Sequence, residues 1–275
     1  MNQPIILLFG LVSLLFPAQA MSQGNLLLLP RRVVFEGSKR YEELNLANTG
    51  RDTARYVISL VHYRMKGDGG FEEILQADSG ENFADNYLRF FPHSVTLGPA
   101  ESQVVKIQLT RTNELAPGEY RSHIYFRAIP PNTPLGEKEA IADSSISIHL
   151  IAVFGISIPV IIRVGESTAK VTLSDLSLER AADKISILNV TFRRTGNMSV
   201  YGDLKVDFIS DQGKITLAGE AKGIAVYTPI PSRGFRMNLN EIPGIDYHSG
   251  KLRVVYNTQV KSGVIMLAQE ELILK

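Results

Sequence analysis

Residues 118–128 read GEYRSHIYFRA, and their side chains alternate in character. Successive side chains of a β-strand point to opposite faces of the sheet, so one face of this stretch would carry Tyr120, Ile124 and Phe126. The other face would carry a polar row that consists of Arg121, His123, Tyr125 and Arg127. The stretch is therefore predicted to be a strand with one apolar and one polar face.

Short alternating runs of the same kind fill most of the chain, and helical periodicity is almost absent. A break around Val164 and Gly165 separates two series of strands. The pattern predicts an all-β protein with an N-terminal immunoglobulin-like β-sandwich at 21–163 and a smaller C-terminal β-sandwich at 164–275. It predicts single strands over 26–35, 54–65 and 144–160, and separate strands over 213–218 and 223–226.

The first twenty residues have the pattern of an export signal. The chain is almost wholly apolar from Ile5 to Phe16, and Ala18-Gln19-Ala20 then supplies small residues at the positions that a signal peptidase recognises. An apolar run of about a dozen residues is too short for a membrane-spanning helix, which needs roughly twenty. We expect residues 1–20 to be a signal peptide that is cleaved after Ala20.

Composition removes several classes of function. Among 275 residues, 29 Lys and Arg balance 28 Asp and Glu, and no cysteine is present. A formal charge of +1 provides no field that attracts nucleic acid or anionic lipid. No stretch after the leader is both long enough and apolar enough to insert into a membrane. Disulfides and thiolate chemistry are also excluded.

No motif for catalysis, for a cofactor or for a metal is present. The five histidines are far apart in the sequence, which is not metal-ligand spacing, and they are expected to be half-exposed sheet residues. Neighbouring acidic residues such as Glu72 and Glu73 would diverge on a strand. The sequence therefore predicts a non-enzyme without cofactor or metal.

The run 144–160 is unusually long for one strand. Its apolar side chains share one parity and include Ile146, Ile148, Leu150 and Ala152. The run is either a core strand that is buried throughout, or an edge strand whose apolar row a partner must cover. Burial of three such side chains in a partner's groove would contribute about 5–9 kcal/mol before ordering costs.

A basic pair, Arg31 and Arg32, interrupts the apolar first strand. Alternation sends the two side chains to opposite faces, so that one can enter a cleft while the other meets solvent. An arginine at a sheet junction is suited to bidentate capture of a carboxylate. The alternative is a surface cation that protects a sheet edge.

Three segments together resemble a known family. Residues 32–37 (RVVFEG), 44–48 (LNLAN) and 118–131, which end in Pro130-Pro131, resemble the periplasmic pilus-assembly chaperones of the chaperone/usher pathway. The order of segments along the mature chain also agrees with that of the family: a variable loop is followed by a long alternating strand and a second β domain. The resemblance is specific in the first domain and architectural in the second.

The resemblance implies two immunoglobulin-like domains in a boomerang arrangement, located in the periplasm. Such proteins bind and cap pilus subunits by donor-strand complementation and deliver them to an outer-membrane usher. Arg32 would anchor the subunit's C-terminal carboxylate. The donor row would be Ile146, Ile148, Leu150 and Ala152. When no subunit is bound, a second copy of the chain is a further partner for this row.

One position departs from the family pattern. Family members usually carry a lysine shortly before the proline of the long strand, whereas this chain has Phe154 and Gly155 there. Either Arg32 acts alone, or a second cation comes from the neighbouring strand. The candidates for that cation are Arg121, His123 and Arg127.

Two other functions fit an exported sandwich. One is a structural fimbrial subunit or adhesin, which should lack a strand and carry its own polymerising extension. The other is a carbohydrate-active enzyme, which would need a convergent pair of carboxylates.

Overall fold

The computed structural model of the protein describes residues 26–130, 153–180, 185–245 and 247–274. These residues form two β-sandwiches and contain no α-helix, which confirms the predicted all-β class. In the described part of the chain, no helix is long and apolar enough to cross a membrane. The boomerang arrangement stays a prediction.

The first half contains eleven strands within the described residues. They are β1 (Leu26–Leu29), β2 (Val33–Phe35), β3 (Tyr41–Asn48), β4 (Ala54–Val61), β5 (Tyr63–Met65), β6 (Phe71–Glu73), β7 (Leu88–Phe91), β8 (Ser94–Leu97), β9 (Ser102–Leu109), β10 (Gly118–Ile129) and β11 (Gly155–Val164). One sheet has the order β1-β3-β9-β7 and the other has the order β2-β11-β10-β4-β8, while β5 and β6 form a separate hairpin.

The second half contains seven strands within the described residues. They are β12 (Lys170–Arg180), β13 (Ser186–Thr195), β14 (Val200–Ile209), β15 (Ile215–Val226), β16 (Ser232–Asn238), β17 (Lys251–Val260) and β18 (Gly263–Ile273). Their sheets have the orders β12-β13-β16 and β15-β14-β17-β18. Each half has its own apolar core.

The predicted alternation along β10 is present in the structure. Tyr120, Ile124 and Phe126 are buried in the core of the first sandwich. The opposite face of β10 is turned away from that core, as the parity requires.

Four strand predictions need correction. The run 26–35 splits at Pro30 into β1 and β2, which belong to different sheets, because proline interrupts a ladder and lets the chain cross between sheets. The run 54–65 divides at His62 into β4 and β5. The separate strands predicted at 213–218 and 223–226 are one strand, β15, whose pairing with β14 contains irregularities that absorb the extra residues.

The fourth correction concerns the long strand. Within the described residues it begins at Gly155 and continues past Pro159 to Val164, whereas the sequence predicted an end near Val160. It pairs with β10 along this whole length, but with β2 only at 160–162. Residues 155–159 therefore have a strand neighbour on one side only in the described part of the chain.

The hydrogen-bond pattern shows which groups face this open side. The amide of Ala128 donates to the carbonyl of Phe154 at 2.9 Å, so even-numbered residues of the long strand bond to β10. Gly155 and Ser157 consequently direct their backbone N–H and C=O groups away from β10. Pro159 also falls on that side, where its missing N–H breaks no bond to β10.

Candidate functional site: a cleft between the two sandwiches

Arg32 lies where the two sandwiches meet. It is half-buried, and its Nη1 donates a hydrogen bond to the hydroxyl of Tyr227 at 3.3 Å. Its guanidinium carbon is 4.5 Å from the ring centre of Tyr201 and 5.6 Å from that of Tyr227. Tyr201 is the second residue of β14 and Tyr227 follows β15, so an arginine of the first sandwich is held by two aromatic rings of the second.

Arg32 and its neighbour Arg31 have different surroundings. Arg31 is exposed, as the alternation predicted for one member of the pair. Among the described residues, no carboxylate forms an ion pair with Arg32. A partly desolvated guanidinium without a counter-ion favours binding of an anion, and its planar fork fits a carboxylate.

The cleft arginine is next to the open edge of the long strand. Val33 pairs with Val160 in the parallel ladder between β2 and β11, so Arg32 lies beside Pro159. An extended chain that paired with residues 155–159 would therefore have one end at the guanidinium of Arg32.

Arg121 is a structural cation. It is 3% exposed, and its Nη2 donates to Oε1 of Glu81 at 2.6 Å. It also donates to the carbonyl of Tyr63 at 3.2 Å and, across the domain boundary, to the carbonyl of Thr228 at 3.0 Å. Burial raises the pKa of Glu81, and the adjacent guanidinium offsets part of that effect. The charge of Arg121 is thus balanced inside the protein.

His123 is buried, and this corrects the expectation of a half-exposed histidine. Only 4% of the residue is exposed, and its ring packs edge-on against Tyr63 and Phe71. Burial is the main cause that lowers the pKa of His123 to about 3, and Arg121 and His62 lower it further. His123 is therefore neutral at physiological pH.

The neutral state of His123 predicts an acid-dependent loss of stability. Its pKa is about 3 in the folded protein, and about 6.5 is ordinary for an unfolded chain. As the pH falls below about 6.5 only the unfolded chain takes up this proton, so each pH unit should cost about 1.4 kcal/mol until the folded pKa is reached. His123→Phe should remove about 2–3 kcal/mol of the loss between about pH 7.5 and about pH 4.5 in urea unfolding.

The exposed His93 provides the control for that experiment. His93→Phe leaves His123 in place and should retain the acid-dependent loss. An identical pH profile for His123→Phe and the unmodified protein would contradict the assignment.

Arg127 is exposed and far from Arg32. It lies opposite Gly155, whereas His123 lies opposite Pro159, the neighbour of Arg32. Arg127 and His123 are four residues apart on β10, which is about 13 Å along the strand. None of the three candidates from the sequence is therefore both an unpaired cation and a neighbour of Arg32. A second cation stays a prediction.

Sequence reasoning missed a second polar connection between the sandwiches. Oε2 of Glu119 accepts hydrogen bonds from Arg163 Nε at 3.2 Å and from Ser199 Oγ at 2.7 Å. Arg163 also donates to the carbonyl of Ser199 at 2.8 Å. Glu119 has the same side-chain parity as Arg121, so the alternation of β10 could have assigned both residues to the same face of the strand. Its partners lie too far away in sequence to be predicted.

The hairpin of β5 and β6 also reaches the second sandwich. The amide of Gly234 donates to the carbonyl of Gly67 at 2.7 Å. Met65 packs in a small apolar cluster with Ile161 and Tyr227. Together with Glu119 and Arg121, the hairpin holds Tyr227 against the first sandwich.

The predicted donor row lies outside the described residues. Ile146, Ile148, Leu150 and Ala152 belong to 131–152, about which the structure gives no description. What the structure describes is the continuation of that run, which is the open edge at 155–159.

Comparisons with known proteins give similarity to solved structures only. No family model and no curated protein matches the sequence. The YadV chaperone is 14% identical, with 91% of this chain and 100% of that chain covered and a TM-score of 0.43. The class 5 fimbriae chaperone CfaA is 15% identical, covering 88% and 97%, with a TM-score of 0.41. The Pseudomonas aeruginosa CupB2 chaperone is 12% identical, covering 90% and 98%, with a TM-score of 0.41.

Proposed function

We propose that this protein is a periplasmic chaperone that binds and caps fimbrial subunits by donor-strand complementation and delivers them to an outer-membrane usher. The observation that carries the proposal is the position of Arg32, a cleft cation without a carboxylate partner among the described residues, beside the open edge at 155–159. The resemblance of segments 32–37 and 118–131 to the pilus-assembly chaperones supports the same function.

The mechanism requires no catalysis. The C-terminal carboxylate of a subunit binds the guanidinium of Arg32. The last strand of the subunit then pairs with the free backbone groups of Gly155 and Ser157 and continues along the preceding residues. In the proposed complex the edge extends from Pro159 back to Leu150, which is about 30 Å for an extended chain, so a segment of about ten residues occupies it.

The donor row supplies the apolar part of the interaction. Ile146, Ile148, Leu150 and Ala152 have the parity of Ile156 and Ile158, and in the proposed complex they fill a groove that a missing strand leaves in the subunit.

The mature protein begins after Ala20. It consists of the domains 21–163 and 164–275, and the cleft lies between them.

The test is purification of the protein from the periplasm with a co-expressed fimbrial subunit. A one-to-one complex should form, and Ile148→Asp should prevent it, because the substitution places a charge in the apolar groove. Ser147→Asp is the matched control, since the adjacent side chain has the opposite parity and should leave the complex intact.

Two results would contradict the proposal. One is full retention of the subunit by the Ile148→Asp protein. The other is incorporation of this chain itself into the assembled fibre, which would favour a structural subunit or adhesin.

A further inference from the structure

The site offers a neutral donor beside the charged anchor. Arg121 is already bonded to Glu81 and to two carbonyls, His123 is neutral, and Arg127 is about 13 Å further along the sheet. A carboxylate has two oxygens, each with more than one acceptor position, so an anchor gains from a second donor.

Tyr227 has the geometry for this role. Its hydroxyl accepts a hydrogen bond from Arg32 Nη1 at 3.3 Å. A phenol both donates and accepts, and among the described residues the Tyr227 hydroxyl has no hydrogen-bond acceptor of its own. The hydroxyl hydrogen is therefore available to an acceptor outside these residues, and the oxygen that carries it lies 3.3 Å from Nη1 of the anchor.

We propose that Tyr227 donates the second hydrogen bond to the C-terminal carboxylate that Arg32 binds. The role of the missing lysine in this chain is then filled by a phenol of the second sandwich. The inference rests on the proposed function, because it names a further residue of the same binding site.

The surroundings of Tyr227 fix its ring and its protonation state. The ring centre lies 4.5 Å from the guanidinium carbon of Arg121 and 5.6 Å from that of Arg32. Burial raises the pKa of Tyr227 and outweighs the opposite effect of the two arginines. The phenol consequently keeps its hydrogen at neutral pH. Only 5% of the residue is exposed, so the hydroxyl is held in place before a ligand arrives.

The arrangement also makes capture depend on both domains. Arg32 belongs to the first sandwich and Tyr227 to the second, so the two donors converge only while the contacts between the sandwiches are intact. Arg121 is one of these contacts, since it bonds to the carbonyl of Thr228, the residue after Tyr227.

The experiment measures how well the protein distinguishes a carboxylate from an amide. The probes are a synthetic ten-residue peptide of alternating valine and threonine with a free C-terminal carboxylate, and the same peptide with a C-terminal amide. Isothermal titration calorimetry gives the Kd of each, and the ratio of the two values is the readout. A general loss of stability affects both peptides alike and leaves the ratio unchanged.

The unmodified protein should bind the acid more tightly than the amide, and Arg32→Ala should abolish the preference. Tyr227→Phe retains the ring and should reduce the preference about tenfold, as expected for one hydrogen bond to a charged group. Tyr247→Phe is the matched control, because Tyr247 is also buried but its hydroxyl donates to the carbonyl of Asn240 within the second sandwich. This variant should keep the full preference.

The outcomes separate the two proposals. If the unmodified protein does not distinguish acid from amide, the proposed carboxylate anchor is wrong, and the role of Tyr227 falls with it. If the preference depends on Arg32 but is the same in Tyr227→Phe as in the unmodified protein, the anchor stands and the inference about Tyr227 is overturned.

Discussion

Arg121→Leu is expected to lower the free energy of unfolding by about 3–5 kcal/mol, because it leaves the buried carboxylate of Glu81 without a counter-charge. Both side chains of this pair are almost fully buried, at 2% and 3% exposure. The substitution also leaves the carbonyls of Tyr63 and Thr228 without their donor. Urea unfolding at neutral pH measures the loss.

A double variant tests whether the loss comes from the ion pair. Arg121→Leu combined with Glu81→Leu should recover part of the stability, since a buried pair can be replaced by apolar side chains at small cost once both charges are removed. The surface pair of Arg193 and Asp175 is the control, with side chains 56% and 59% exposed. Arg193→Leu should leave unfolding unchanged within error. A double variant as unstable as the sum of the two single variants would contradict the coupling.

Arg32→Glu is expected to weaken subunit binding by at least about a hundredfold, because it replaces attraction of a carboxylate by repulsion. The position is half-buried between Tyr201 and Tyr227, where solvent screens the charge less than on an open surface. The affinity of the purified protein for a refolded subunit, measured by surface plasmon resonance, gives the effect.

Arg31→Glu is the matched control for this substitution. It makes the same change of charge one residue earlier, at an exposed position. It should change affinity little. Equal losses in the two variants would show that net charge, and not the cleft, determines binding.

The alternation of β10 made much of the first sandwich predictable. Period-two spacing assigned Tyr120, Ile124 and Phe126 to the core, because the parity of side chains along a strand is set locally and the apolar parity packs into the sandwich. The same reasoning separated Arg31 from Arg32. It did not indicate which of the two enters a cleft; the resemblance to the chaperone family selected Arg32.

What lies on the far face of β10 could not be predicted from local sequence. The ring of His123 is buried against Tyr63 and Phe71 of the β5–β6 hairpin, and these contacts join separate parts of the chain. Glu81 and Arg121 are 40 residues apart, and Arg121 and Thr228 are 107 apart. Tyr227, which we infer to be a ligand-binding residue, carries no motif. Its role follows only from the position of its hydroxyl beside Arg32.

The break at Pro30 illustrates a different limit. The sequence prediction joined the apolar residues on both sides of Pro30, Arg31 and Arg32 into one strand, and the extended backbone that it predicts is present at 26–29 and 33–35. Period-two spacing does not reveal that β1 and β2 pair in different sheets. That change of sheet places Arg32 immediately before β2, next to the open edge of the long strand.

Hydrogen–deuterium exchange of the protein with and without a bound subunit tests the central claim most directly. The claim is that an extended partner pairs with the open edge at 155–159 and ends at Arg32. Exchange of the Gly155 and Ser157 amides should slow on binding, while β1 and β18, the edge strands of two other sheets, should be unaffected. Unchanged exchange at Gly155 and Ser157, with new protection at β1 or β18, would contradict the account.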